Sequence, residues 1–152
     1  MKSKIILFLI ALFLFPASSF SQVAKVSINK TSNGFQLIKN DEPYYIKGAG
    51  AKSNFKKVVE SGANSIRIWS TNNSKLLDSA YKYNLSVCLG IWVAQERNGF
   101  NYNDEYNVRS QIELIKKEIL RLKDHPSVIL WGIGNEVDLQ YSNFKVWETI
   151  EE

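Results

Sequence analysis

Short apolar runs alternate with amphipathic stretches along most of this chain. Residues 64–69, 85–93 and 128–133 are compact runs of mostly branched and aromatic side chains, the pattern of strands buried on both faces. Residues 44–48 read as a shorter extended segment that breaks into Gly48-Ala49-Gly50. The intervening segments keep helical spacing instead. Ser53 is predicted to cap a first helix that runs to Ser61, with Phe55, Val58 and Val59 on its apolar face and Gly62 as its stop. A second helix, capped near Asn73 or Ser74, turns Leu76, Leu77, Ala80 and Tyr81 inward and stops at Asn84 in a left-handed conformation. A polar loop at 94–107 precedes a third helix over 108–123, whose Ile112, Ile115, Ile119 and Leu122 hold the period and which Pro126 prevents from continuing. Ser142 is placed to cap a last helix.

Ahead of this rhythm, residues 25–28 and 35–38 alternate apolar with polar positions around Asn33-Gly34, a strong turn signal, and Asn40-Asp41-Glu42-Pro43 supplies the next turn. Residues 22–43 are therefore expected to form a β-hairpin lead-in, either capping the base of the main sheet or left over from a preceding β-domain. Strands alternating with helices predict an α/β fold with a parallel sheet. A (β/α)8 barrel takes about 250 residues. The 131 residues that follow residue 21 leave two architectures open, a four-stranded open α/β domain or the first half of a barrel. Glu148, Glu151 and Glu152 fall in mid-helix without a stop signal, so the expectation is a fragment of a larger protein. A half barrel would leave its first and fourth strands with unpaired edges, a liability to self-association.

Lys2 and Lys4 precede an apolar run from Ile5 to Phe15, then Pro16 and the small-residue stretch Ala17-Ser18-Ser19-Phe20-Ser21. That pattern predicts a secretory signal peptide over 1–21, a secreted or periplasmic protein and no membrane association after cleavage. The formal charge of +4 owes half its value to the two leader lysines, and nothing in the remainder points to nucleic acid. The single cysteine, Cys88, lies in an apolar strand and reads as a buried small hydrophobe. The single histidine, His125, sits at a helix-to-strand turn, on the opposite side of the βα unit from any strand-end site. One Cys and one His make no metal constellation, and no cofactor is expected.

The chemistry is concentrated in His125 to Glu136, HPSVILWGIGNE. Gly132 and Gly134 allow close approach where the strand emerges, and Asn135 with Glu136 sets an amide beside a carboxylate at the end where parallel α/β proteins keep their sites. On spacing alone, Asn135 capping the next segment and Glu136 as a solvated loop acid fit equally well.

The stretch His-Pro-Ser-Val, followed by an apolar strand containing Trp and ending in Gly-Asn-Glu, resembles glycoside hydrolase family 2 and, more loosely, the retaining (β/α)8 glycosidases as a superfamily. The likeness extends weakly back to Tyr44. It implies that residues 44–152 are the first four βα units of an incomplete TIM barrel from a hydrolase of β-linked oligo- or polysaccharides. Glu136 would then be the general acid/base at the end of the fourth strand, and Asn135 would bind the hydroxyl next to the reacting carbon. The family's nucleophile, a second Glu, comes from a seventh strand that this chain does not reach. Arg67, between Ile66 and Ile68, is either in a structural ion pair or in the pocket, where related barrels use an Arg near this position to hold the nucleophile. Trp69 and Trp92 stand at strand ends suited to stacking on sugar, whereas Trp131 reads as core. Glu96, Asp104 and Glu105 are expected to be solvated loop acids.

Strict strand alternation puts Asn135 and Glu136 on opposite faces, so both serve one pocket only if the strand has ended or bulged there. Two other functions compete. One is a secreted carbohydrate-binding module without catalysis. The other is a flavodoxin-like nucleotide binder, for which Gly48-Ala49-Gly50-Ala51 lacks the third glycine of a phosphate loop.

Overall fold

The computed structural model describes residues 22–152. The predicted leader lies outside them.

Two sheets organise the chain. The first is antiparallel: β1 (Val26–Thr31) pairs with β2 (Gly34–Lys39), and β2 with the two-residue β3 (Glu42–Pro43). The tight turn falls on Ser32 and Asn33, and Gly34, at φ +125°, opens the return strand.

The second sheet is parallel and takes its strands in chain order: β4 (Gly48–Gly50), β5 (Ser65–Ile68), β6 (Ser86–Ile91) and β7 (Val128–Ile133). The crossovers carry α1 (Phe55–Glu60), α2 (Lys75–Lys82) and α3 (Glu105–Leu122). A doubly wound sheet would reverse its order at a switch point, whereas an unbroken sequential order is that of a barrel wall.

The two faces of this sheet differ in chemistry. Ile66, Ile68, Val87, Leu89 and Val128 are buried with Phe55, Leu77, Ala80 and Leu122 of the helices, and Trp131 packs against them as expected. The opposite face carries Gly48, Gly50, Ser65, Ser86, Cys88 and Gly132, with Arg67 lying across it. Cys88 is half-buried, because it lines an open cavity of about 190 Å³ on that face with Ile46, Ser65 and Leu130.

The hairpin sheet docks at the amino ends of the strands. Lys39 Nζ donates to Ser86 Oγ at 2.8 Å, and the Tyr44 hydroxyl donates to the Asn64 carbonyl at 3.0 Å. That hydroxyl also lies 2.9 Å and 3.0 Å from the Ser65 and Ser86 hydroxyls. Lys39 passes over the Tyr44 ring, 5.1 Å from its centroid.

Several element boundaries differ from expectation. Ser53 does not cap α1: the N-cap is Asn54, in the left-handed conformation at φ 57° and without a side-chain cap bond. The first parallel strand begins at Gly48 rather than Tyr44, because the Asn64 side chain takes up the preceding backbone, accepting from Lys47 N–H and donating to the Tyr45 carbonyl. Helix α3 starts three residues early, capped by Asp104, whose Oδ1 accepts from Asn107 N–H at 3.1 Å. Asp104 is thus a helix cap and not a free loop acid. Ser142 does not cap α4 (Lys145–Glu151); its hydroxyl and N–H are committed to Glu96. His125 is structural: its Nδ1 accepts from Ser127 N–H and its Nε2 lies 3.3 Å from Asp78. Among the described residues no helix is long and apolar enough to cross a membrane.

The chain at the end of β5 lies tight against Gly90 of β6. A Cβ there would lie 2.8 Å from the Trp69 Cα and 2.9 Å from the Ile68 carbonyl oxygen, both backbone atoms that cannot swing aside. Gly90→Ala is expected to cost about 1–3 kcal/mol of stability as overpacking, read as a lower urea midpoint at an unchanged m-value.

Candidate functional site at the carboxyl ends of the strands

The backbone leaves β7 by a sharp turn. Gly134 N–H still donates to the Ile91 carbonyl at 2.8 Å, but Gly134 has φ +77° and Glu136 has φ +49°. The alternation of a strand therefore stops before Asn135. A glutamate in the left-handed region costs about 1–2 kcal/mol, so the corner must be held by its surroundings. Val137, buried with Val93, Tyr102 and Val146, anchors it on the carboxyl side.

The remainder of the hold comes from the loop after β6, and the sequence reading missed it. Gln95 is 2% exposed and its Nε2 donates to the Asn135 carbonyl at 2.6 Å. Its Oε1 accepts from Arg97 Nε at 2.9 Å and from Asn98 Nδ2 at 2.8 Å. Arg97 Nη2 then donates to Glu136 Oε2 at 3.1 Å, the arginine side chain 19% exposed and the glutamate 63%. Glu96, between them, accepts from Ser142 N–H at 2.6 Å, Ser142 Oγ at 2.7 Å and Asn143 N–H at 3.0 Å. Those donors, the Ser142 amide first, then its hydroxyl and the Asn143 amide, hold the Glu96 carboxyl below the ordinary glutamate range.

Three consecutive residues, Gln95, Glu96 and Arg97, thus clasp the segment that carries Asn135 and Glu136. The loop itself is fixed from beneath by Tyr102, which is buried, donates to the Ala94 carbonyl and has its hydroxyl pKa raised chiefly by desolvation. Ala94 N–H donates to Gln111 Oε1 at 2.6 Å. The signal available in sequence was Phe100 and Tyr102, aromatic residues spaced two apart within a loop that is otherwise polar apart from Ala94 and Tyr106. Glu96 is not the free solvated acid expected, whereas Glu105 is exposed at the start of α3.

The other sequence-predicted residues form a second group. The Arg67 guanidinium lies over the Trp69 ring, 5.5 Å from its centroid, and its Nη1 is 3.5 Å from where a side chain at Gly132 would begin. Trp69 leans over Gly50, where a Cβ would come within 2.5 Å of the indole. Trp92 follows the end of β6 and is exposed. Arg67 and Trp69 are therefore brought into contact, and Asn135 and Glu136 are joined through Gln95 and Arg97. Among the described residues no hydrogen bond links the two groups, and Trp92 bonds to neither. Nor do the described residues contain a cluster of His, Cys, Asp or Glu able to hold a metal ion.

The model of the glycosyl hydrolases family 2 TIM barrel domain matches residues 51–151. Among solved structures, the chain is similar to a β-glucuronidase from Ruminococcus gnavus in complex with C6-substituted uronic isofagomine. The two are 19% identical with a TM-score of 0.63, over 84% of this chain and 24% of that one. It is also similar to a family 2 β-galacturonidase from Eisenbergiella tayi bound to galacturonate, at 20% identity and a TM-score of 0.59 over 84% of this chain and 25% of that one. A third likeness is to Bacteroides uniformis β-glucuronidase 2, at 21% identity and a TM-score of 0.53 over 84% of this chain and 17% of that one. The chain spans about a quarter or less of the length of these structures. No curated protein matches it.

The clasp at Glu96 carries its own pH dependence. Because the folded carboxyl titrates below its unfolded value, the stability it contributes is whole above that unfolded value of about 4.3. It falls as the pH drops below 4.3 and is gone once the lower folded value is passed. The amide resonances of Ser142 and Asn143 are expected to move on acidification in the unaltered chain and to stay fixed in Glu96→Gln.

Proposed function

The chain belongs to the glycosyl hydrolases of family 2, and on that premise we propose that it is part of a secreted or periplasmic retaining hydrolase of β-linked glycans, with Glu136 as its general acid/base. The observation that carries this reading is the corner at Asn135 and Glu136. There, the fourth parallel strand ends and the backbone leaves strand geometry, so Asn135 and Glu136 are no longer held to opposite faces by strand alternation.

Retention needs two carboxylates about 5 to 5.5 Å apart. Glu136 donates a proton to the glycosidic oxygen as the C–O bond breaks and the nucleophile attacks the sugar; it then takes a proton from the water that releases the covalent intermediate. Asn135 binds the neighbouring sugar hydroxyl. Arg67 lies on the pocket face, unpaired with any carboxylate among the described residues, and is available to hold the nucleophile. Trp69 and Trp92 offer stacking surfaces for the sugar.

The nucleophile belongs to sequence beyond Glu152, on this reading, and the chain alone is inactive. The low share of the similar structures that the chain spans supports this, as do the outer edges of β4 and β7, which have no strand partner among the described residues. Residues 1–21 act as the export signal, 22–43 as the cap at the base and 44–152 as the barrel segment. Until the wall is completed, the open edges favour self-association. Genomic sequence past the codon for Glu152 is expected to encode three or four further βα units and a strand-terminal Glu. A stop codon there, with glycosidase activity in the isolated chain, overturns the fragment reading.

The test of Glu136 is made in a protein whose barrel is complete, on aryl β-glycosides that include glucuronides and galacturonides, after the names of the similar structures. Glu136→Ala is expected to slow poor leaving groups by roughly 10² to 10⁴-fold, the usual worth of acid/base assistance. Activated leaving groups lose less in glycosylation, and azide, which needs no base, rescues the second step. Lower stability would not discriminate, because the substitution leaves the guanidinium of Arg97 without its carboxylate under either role. Equal losses for all leaving groups, with no azide rescue, overturn the assignment.

A further inference from the structure

We infer that Arg97, aligned by Gln95, is the positioning residue of the acid/base glutamate: it engages one carboxylate oxygen of Glu136 and leaves the other to carry the proton. The inference rests on the reading of Glu136 given above. The geometry assigns each atom a task. Gln95 is a buried amide whose two ends are both committed, Nε2 to the Asn135 carbonyl and Oε1 to Arg97 Nε and Asn98 Nδ2. One rigid side chain therefore sets the backbone that carries Glu136 and the guanidinium that faces it. Arg97 in turn reaches only Oε2, at 3.1 Å. Oε1 accepts no hydrogen bond from the described residues and is the oxygen free to meet a leaving group.

The pairing has a chemical consequence in each half of the reaction. When Glu136 gives its proton to the glycosidic oxygen it becomes a carboxylate beside a fixed positive charge. The cation thus stabilises the charge as it develops, without reorganising at the moment of transfer. When water attacks the intermediate, the same contact holds the carboxylate in place as base. Arg97 Nη1 is buried with no hydrogen-bond partner, and Glu136 is the only carboxylate that pairs with this guanidinium among the described residues. A partly buried cation with a single counter-charge favours keeping that partner close, because separation leaves it unpaired.

The reading predicts a pattern that a merely structural arginine does not give. In the completed enzyme, Arg97→Gln should lower kcat roughly tenfold for poor leaving groups while KM changes less than about twofold, a loss in the range of one charge-assisted hydrogen bond. Arg97→Lys keeps the charge as a point donor without the planar fork and should recover most of that loss. In a Glu136→Gln background the further change Arg97→Gln should have almost no effect, because its partner's chemistry is already gone. Losses that multiply in the double variant, a rise in KM at constant kcat, or no recovery with lysine would each overturn the inference. Should Arg97→Gln fail to fold, Arg97→Lys with and without Glu136→Gln reads the same coupling. The parent reading fails separately, on equal leaving-group losses and absent azide rescue in Glu136→Ala.

Discussion

A single buried amide organises the carboxyl end of this sheet. The partly buried Asn135 carbonyl lies at a corner where no further strand residue remains to donate to it, and a carbonyl left unpaired away from water is costly. Gln95 supplies the missing donor across 40 residues of chain, and its oxygen then directs the Arg97 guanidinium. Remove that amide and three things become free at once: the turn after β7, the left-handed backbone of Glu136 and the cation that faces it. The apolar cluster of Val93, Tyr102, Val137 and Val146 lies directly beneath, so the polar clasp and the small second core depend on each other.

The difference between the two faces of the parallel sheet explains why the chain folds as a wall with one side open. Branched residues outward give α1, α2 and α3 a continuous apolar surface to cover. Glycines and serines inward leave a face that no helix of the described chain covers and that a closing barrel would fill with side chains from opposite strands. Arg67 spans this face from Trp69 to Gly132, resting on an aromatic ring where a glycine makes room.

The elements most legible in the sequence were those bracketed by covalent geometry. Strand β7 begins and ends where expected, because Pro126 forbids helix on one side and Gly134 turns the chain on the other. Asn84 takes the left-handed conformation foreseen for it, at φ 55°. What stayed hidden depended on distant partners. The segment at 44–47 has the composition of a strand, yet its backbone bonds are split between Leu37 of the hairpin, the Asn64 side chain and the opening of β5, so no regular ladder forms before Gly48. The start of α3 carries no apolar period, since Glu105, Tyr106 and Asn107 are exposed and only the Asp104 cap marks it. Gln95 and Arg97 look like ordinary loop residues in the sequence, and their burial becomes intelligible only when Asn135 and Glu136 are set beside them.

The contact between Lys39 and Ser86 joins residues 47 apart, and Tyr44 meets the same serine across 42. A hairpin extended only by the two-residue β3 is at best marginally stable by itself, and its anchoring hydroxyl lies at the start of the third parallel strand. During synthesis the hairpin emerges before the strands it docks on, and its docking surface is complete only after β4, β5 and the opening of β6 have followed. A segment made early is consequently fastened late, and the foot of the sheet closes around side chains that have waited for it.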